Sequence, residues 1–305
     1  MGIDCELVYI AGTGRNGSTL LGQCLSCHPD VLFAGELTHI WLRGFIENQL
    51  CGCGIPFREC EFWRSVAQGL ETSIGLDWTR VSRLRDSVSP LRKLPRLLLG
   101  SAAIQDGERE YCAIYSELVE SLAKTSQRSI VIDSSKYPTD LSVLLRGQVR
   151  LKVIHLVRDC NAVVFAWKKW KLRQEIHWQT QFMPRYSVWR TAVAWRVFNT
   201  MIPRIARKFG AVCTLVRYED FVNEFPDSVG RIHAQLGIRT VEPAMQFFSA
   251  HNVSGNPCRF DFDPGQIRLD EQWKKEASSL DRMIVRMLCG RQQHRFGYQP
   301  AAAQA

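Results

Sequence analysis

No stretch of this sequence approaches the roughly 18 uncharged apolar residues that a membrane-crossing helix requires. The opening residues MGIDCELVYIAG also lack the basic-then-apolar order of a secretion signal, carrying two acids ahead of a short apolar run, which predicts a cytoplasmic protein. Internal repeats and low-complexity tracts are missing except for the terminal AAAQA, and a frayed tail is expected over 299–305. Acid is in short supply: 30 Asp plus Glu face 39 Lys plus Arg, a net +9. That balance suits nucleic acid, an anionic membrane or an anionic small ligand without choosing among them. With 46% hydrophobic and 23% charged residues, the chain is neither disordered nor fibrous, and 305 residues allow one large domain with a substantial core. Cysteine is plentiful but odd in number, eleven residues with no export signal, so reduced thiols are expected in place of a disulfide framework.

What is present is an alternation of strand and helix patterns. Short runs rich in β-branched and aromatic residues occur at 7–12 (LVYIAG), 31–36 (VLFAGE), 129–135 (SIVIDSS), 152–159 (KVIHLVRD) and 212–219 (VCTLVRYE). Several are continuously apolar and closed by polar residues, the pattern of parallel strands buried on both faces. Helical patterns follow, at about 37–50, across most of 57–126, and over 186–209. The predicted class is α/β, a P-loop-like parallel sheet flanked by helices with helical insertions, whose ligands bind at the carboxyl ends of the strands.

The first strand runs into GTGRNGST and then a helix, which offers backbone N–H groups and a helix N-terminus to an anion, with the Ser18 and Thr19 hydroxyls beside them. The Gly12 to Gly17 spacing matches a triphosphate-binding loop, but Ser18 stands where that loop requires lysine, and the cation is Arg15 instead. Without that lysine, chemistry on a magnesium-bound triphosphate is disfavoured. A structural strand-to-helix turn is the plain alternative. Three further segments favour a ligand, because Asp133 to Lys136, Arg158, and Gly255 to Arg259 place cations or donors after predicted strands or in loops.

Together these segments resemble the sulfotransferases that use 3′-phosphoadenosine 5′-phosphosulfate (PAPS), and the likeness spans most of the chain. GRNGSTLL resembles the family's 5′-phosphosulfate loop, which implies that Arg15, Asn16, Gly17, Ser18 and Thr19 hold that group, Asn16 taking a position usually occupied by serine. IHLVRDCNAVVFAW resembles the 3′-phosphate segment and assigns Arg158 to that phosphate, with Ala166 where the family normally has serine. VRYEDF resembles the strand end whose tyrosine, here Tyr218, approaches the adenine. HNVSGNPCRF resembles a loop of bacterial members that closes over the nucleotide, making Gly255, Asn256 and Arg259 candidate donors to the 3′-phosphate. The implied activity is transfer of a sulfuryl group from PAPS to a hydroxyl of a small-molecule, carbohydrate, lipid or natural-product acceptor. PAP is the product, and no metal or nucleic acid takes part.

Such a transfer needs charge at the leaving phosphate and a base at the acceptor. Arg15 and Lys136 are the candidates for charge. Glu36 is the candidate base, because HPDVLFAGE resembles the catalytic-glutamate segment of tyrosylprotein and some bacterial sulfotransferases. An acid interacting with a helix N-terminus is the simpler role for Glu36. His39, one helical turn on, is the rival base, and His177 a weaker one. The chain is expected to form a single domain, with an acceptor-side insertion at about 37–126 and a lid at about 168–190. The alternatives are a phosphotransferase on the same fold, for which IVID ending at Asp133 offers a metal-binding aspartate, and a nucleotide-binding protein without catalysis.

Three motifs point elsewhere. Cys24, Cys27 and His28 match a haem-attachment pattern but fall on the helix after the glycine loop, where packing is the expected role. KKWKLR, with Trp167 and Trp170, reads as a solvated helix face or an acceptor contact. Cys51, Cys53 and Cys60 crowd ten residues, yet no fourth ligand stands near them in sequence, so packing or a local disulfide is expected ahead of zinc.

Overall fold

The structure, a computed structural model, describes residues 5–75, 77–90, 104–238 and 250–299. Apart from residue 299, the expected frayed tail lies outside them. Each of the five apolar runs is a strand: β1 (Glu6–Gly12), β2 (Val31–Gly35), β3 (Ile130–Lys136), β4 (Leu151–Val157) and β5 (Cys213–Arg217). They form one parallel sheet in the order β2-β3-β1-β4-β5.

Side chains alternate across a strand, and in β1 both faces are buried. Leu7, Tyr9 and Ala11 join one apolar cluster, while Val8 and Ile10 join the other. This two-sided burial is why the run is continuously apolar. Helix α1 (Ser18–Leu25) covers the second cluster, with Cys24 and Cys27 packed there beside Leu21 and Leu25. The first cluster is covered by α2 (Glu61–Ile74), α3 (Trp78–Val88), α4 (Asp106–Ser126) and α5 (Pro138–Arg146). Further on come α6 (Cys160–Lys168), α7 (Val188–Lys208), α8 (Tyr218–Asn223), α9 (Asp227–Gln235), α10 (Gln272–Glu276) and α11 (Ser279–Arg295). β5, at one edge of the sheet, departs from the buried pattern: Leu215 faces solvent, whereas β2 at the other edge is buried throughout.

The helix expected over 37–50 is shorter and wider than its pattern. A 3₁₀ turn (Leu37–His39) leads into a π-helical turn (Ile40–Ile46), in which the Glu47 N–H reaches back five residues to the Leu42 carbonyl at 2.8 Å. This winding brings both Trp41 and Phe45 to Trp78, with ring centroids 6.2 and 4.0 Å away. Aromatic packing thus overrides the regular helical repeat, in a type of turn often found beside functional sites. No helix among the described residues is long and apolar enough to cross a membrane.

Candidate active site

Chain connections leave β1 toward β2 on one side of the sheet and later reach β4 on the other, so the strand order reverses between β1 and β4. A ligand crevice is expected at such a switch point, beyond the carboxyl ends of the strands. The glycine loop opens there. Gly17 caps α1 with φ of 94°, and a Cβ added to it would lie 2.2 Å from the Tyr218 ring, so glycine meets both the backbone and the packing requirement. Ser18 and Thr19 begin the helix. Arg158, just beyond β4, donates to the Arg15 carbonyl at 3.2 Å and stacks over Tyr218 at 4.5 Å. Arg15 lies over Trp167 at 4.8 Å and donates to the Met183 Sδ at 2.7 Å. The Nε groups of both arginines are buried with no hydrogen-bond partner among the described residues. Unpaired buried donors are costly, and two adjacent cationic ones suit an anion.

On the other side of β1 lies the acid–base group. Glu36 follows β2 and Lys136 ends β3, so pairing of these strands brings the Lys136 Nζ to 2.5 Å from Glu36 Oε1. The His39 Nε2 lies 3.6 Å from Glu36 Oε2. Arg15 and Lys136 both adopt left-handed backbone, φ 67° and 75°. Each costs about 1–3 kcal/mol for a residue with a side chain, and such strain clusters at functional sites. Asp133 organises this corner. Its buried carboxylate accepts from the Leu37 N–H at 3.0 Å, the Ser135 N–H at 2.8 Å and hydroxyl at 2.5 Å, and the Tyr115 hydroxyl at 2.6 Å. Burial pushes its pKa up to about 6 despite these donors. The segment carrying Glu36 is thereby tied to the strand carrying Lys136, a role that local spacing around Asp133 does not reveal.

Burial, aided by the nearby charges of Arg43, Arg85, Lys136 and Arg173, holds the His39 pKa well below its ordinary 6.5. The folded protein keeps this ring neutral where the unfolded chain protonates it. His39 therefore contributes stability above about pH 6.5 that is lost as the pH falls below that value. Urea unfolding of wild type and His39→Asn across this range is expected to show the wild type losing up to about 1.4 kcal/mol more per pH unit. Parallel curves would contradict this.

Two of the expected donors already have side-chain partners within the protein. The Asn16 side chain does not face the crevice: it is buried, donating to the Leu156 carbonyl at 3.1 Å and accepting from the Ser18 N–H at 3.2 Å. It binds the loop to β4. Arg259 is also buried, donating to the Asn252 carbonyl at 2.9 Å and the Leu50 carbonyl at 2.9 Å, so it braces its loop. Gly255 and Asn256 lie beside the glycine loop and Glu36. The Asn256 N–H donates to the Thr19 hydroxyl at 3.2 Å, and a Cβ on Gly255 would stand 3.7 Å from Glu36 Oε1.

Beside Arg158 and Tyr218 opens a cavity of about 410 Å³, to which Lys274 and Arg282 add cations and Trp273 an aromatic wall. QWKK was the available sequence signal for Trp273 and Lys274, an aromatic residue among cations, but a short amphipathic segment carries the same composition. Ala166 lies half-buried on α6 and supplies no hydroxyl. The segment expected as a lid crosses the glycine loop through Met183, and Lys171 bonds the Asn256 side chain at 2.7 Å. His177 is exposed and contacts the Asn48 carbonyl at 3.1 Å.

The same architecture occurs in the sulfotransferase domain of the Synechococcus PCC 7002 olefin synthase, at 19% identity and TM-score 0.53 over 97% of this chain and 96% of that one. The chain has the sulfotransferase fold. The sulfotransferase STF9 from Mycobacterium avium also shares it, at 11% identity and TM-score 0.52 over 98% of this chain and 78% of that one. No protein-family model and no curated protein matches the sequence. In the sulfotransferase fold of this chain, the glycine loop, the two arginines and the Glu36–Lys136 pair all lie at the carboxyl edge of the sheet.

Proposed function

We propose that this protein is a PAPS-dependent sulfotransferase acting on a hydroxyl of a small-molecule, carbohydrate, lipid or natural-product acceptor, with Glu36 as general base. The observation that carries this reading is the pair of adjoining arginines beside the glycine loop, whose buried Nε groups have no partner among the described residues, one strand away from an acid–lysine pair. The α1 N-terminus with Ser18 and Thr19 holds the 5′-phosphosulfate. Arg158, aided by Lys274 and Arg282 in the adjoining cavity, takes the 3′-phosphate.

Glu36 accepts the proton of the acceptor hydroxyl as its oxygen bonds to sulfur. The bond from sulfur to the bridging phosphate oxygen breaks, and charge left on that oxygen is met by Lys136 and Arg15. The products are the sulfate ester, PAP and a protonated Glu36. The phosphotransferase alternative loses support because the Asp133 carboxylate is occupied by Leu37, Ser135 and Tyr115.

Titration calorimetry with PAP tests the donor site. Binding is expected to be independent of Mg²⁺, resistant to ATP competition, and weakened about 10- to 100-fold by Arg158→Ala, the loss of a charge-assisted bond. Preference for Mg–ATP would overturn the reading.

A further inference from the structure

We propose that Cys51, Cys53, Cys60 and His251 form a structural zinc site that fastens the loop over 250–259 to the acceptor-side loop over 51–60. All four donor atoms lie within 4.8 Å of one another. Cys53 Sγ is 3.8 Å from Cys60 Sγ, and the His251 Nδ1 is 3.8 Å from Cys51 Sγ and 3.4 Å from Cys60 Sγ. A tetrahedral zinc with bonds of about 2.3 Å to sulfur and 2.0–2.1 Å to nitrogen has edges of about 3.8 Å between sulfurs and about 3.6 Å from sulfur to nitrogen. The three separations of 3.8, 3.8 and 3.4 Å are close to those edges. A disulfide needs about 2.05 Å, and all eleven cysteines are free thiols.

The surroundings are those of a closed site. Cys60 caps the N-terminus of α2, a position that favours a thiolate. The Trp63 indole N–H donates to Cys51 Sγ at 3.2 Å, and Phe62 stacks on the imidazole with centroids 4.9 Å apart, fixing the ring's plane. Three cysteines and one histidine complete four-coordination, so no position is left for substrate and the metal's work is structural.

That work concerns the candidate active site. Two residues after His251, Val253 pairs with the end of β2, accepting from the Glu36 N–H at 2.8 Å and donating to the Ala34 carbonyl at 2.9 Å. Gly35 stands at φ 86° where a Cβ would meet the Val253 carbonyl at 2.2 Å, so this contact is close by design of the sequence. The same loop carries Gly255 and Asn256 to Thr19. A metal at its root anchors the segment that closes over the glycine loop. The site itself stands whether or not the sulfuryl-transfer reading holds.

The test uses the full chain kept reduced. Zinc displaced by a mercurial reagent and read with a chelating dye is expected at one equivalent per chain. Co²⁺ added to the metal-free protein is expected to give intense tetrahedral visible bands and thiolate charge-transfer absorption. His251→Ala should alter the visible bands while keeping the charge transfer, and Cys60→Ser should weaken both. Chelation should lower the melting temperature and raise the number of reactive thiols by three. Absence of both zinc and a thiolate–cobalt spectrum in the folded, reduced wild type would overturn the site. Neither readout depends on a sulfotransferase assay, so failure here and failure of the proposed activity are distinguishable.

Discussion

Glu36→Gln is expected to reduce turnover by about 10²- to 10⁴-fold, the usual contribution of a positioned general base, while leaving PAP affinity within a few-fold of wild type. Glutamine preserves the length and planarity of the side chain and can still accept from Lys136, which lies 2.5 Å from Glu36 Oε1. What it lacks is a carboxylate to receive the acceptor's proton. Donor binding depends on the glycine loop and Arg158, so the defect belongs in kcat and not in the PAP dissociation constant. His39→Asn is the necessary companion, because the two side chains are 3.6 Å apart and both face the same corner. A loss confined to the glutamine variant, read as product by mass spectrometry against an acceptor panel, assigns the base to Glu36. A larger loss in His39→Asn would transfer the role to the histidine. Full turnover in both would sink the base assignment altogether.

The fold was legible because buried parallel strands cannot be written any other way: β1 presents apolar residues to both faces, and its run ends where the glycine loop begins. The order of strands was not legible. Nothing local in VLFAGE and SIVIDSSK states that they pair, yet that pairing joins Glu36 to Lys136, residues 100 positions apart. The direction of a polar side chain in a loop is equally invisible. The resemblance implies Asn16 and Arg259 as ligand donors, and it could not show that their side chains also bond backbone carbonyls within the protein. Asp133 shows the converse, a polar residue inside β3 whose value lies in holding others. His251 was out of reach for the same reason, since 191 positions separate it from Cys60. Sequence supplies residue types at local spacing, and tertiary pairing decides which of them meet.

Lys136→Met is the second large effect, and it acts on two quantities at once. Methionine fills similar space without charge, so the bridging oxygen loses one preorganised cation, and kcat is expected to fall about 10²- to 10³-fold. The same change strands Glu36. Both side chains are largely buried, 10% and 12% exposed, and removing one partner of such a pair costs about 3–5 kcal/mol because the remaining charge is uncompensated. Thermal and urea unfolding should therefore show a destabilised single variant, further aided by loss of the 2.8 Å bond from Lys136 to the Ser134 carbonyl. The double variant Lys136→Met with Glu36→Gln separates the causes. Removing the stranded carboxylate should restore much of the stability, a strongly non-additive cycle of the kind expected for contacting charges, yet turnover should stay at or below that of either single variant. Recovery of turnover along with stability would mean that Lys136 serves only to hold the fold. Additive losses of stability would mean that the ion pair contributes nothing as a pair.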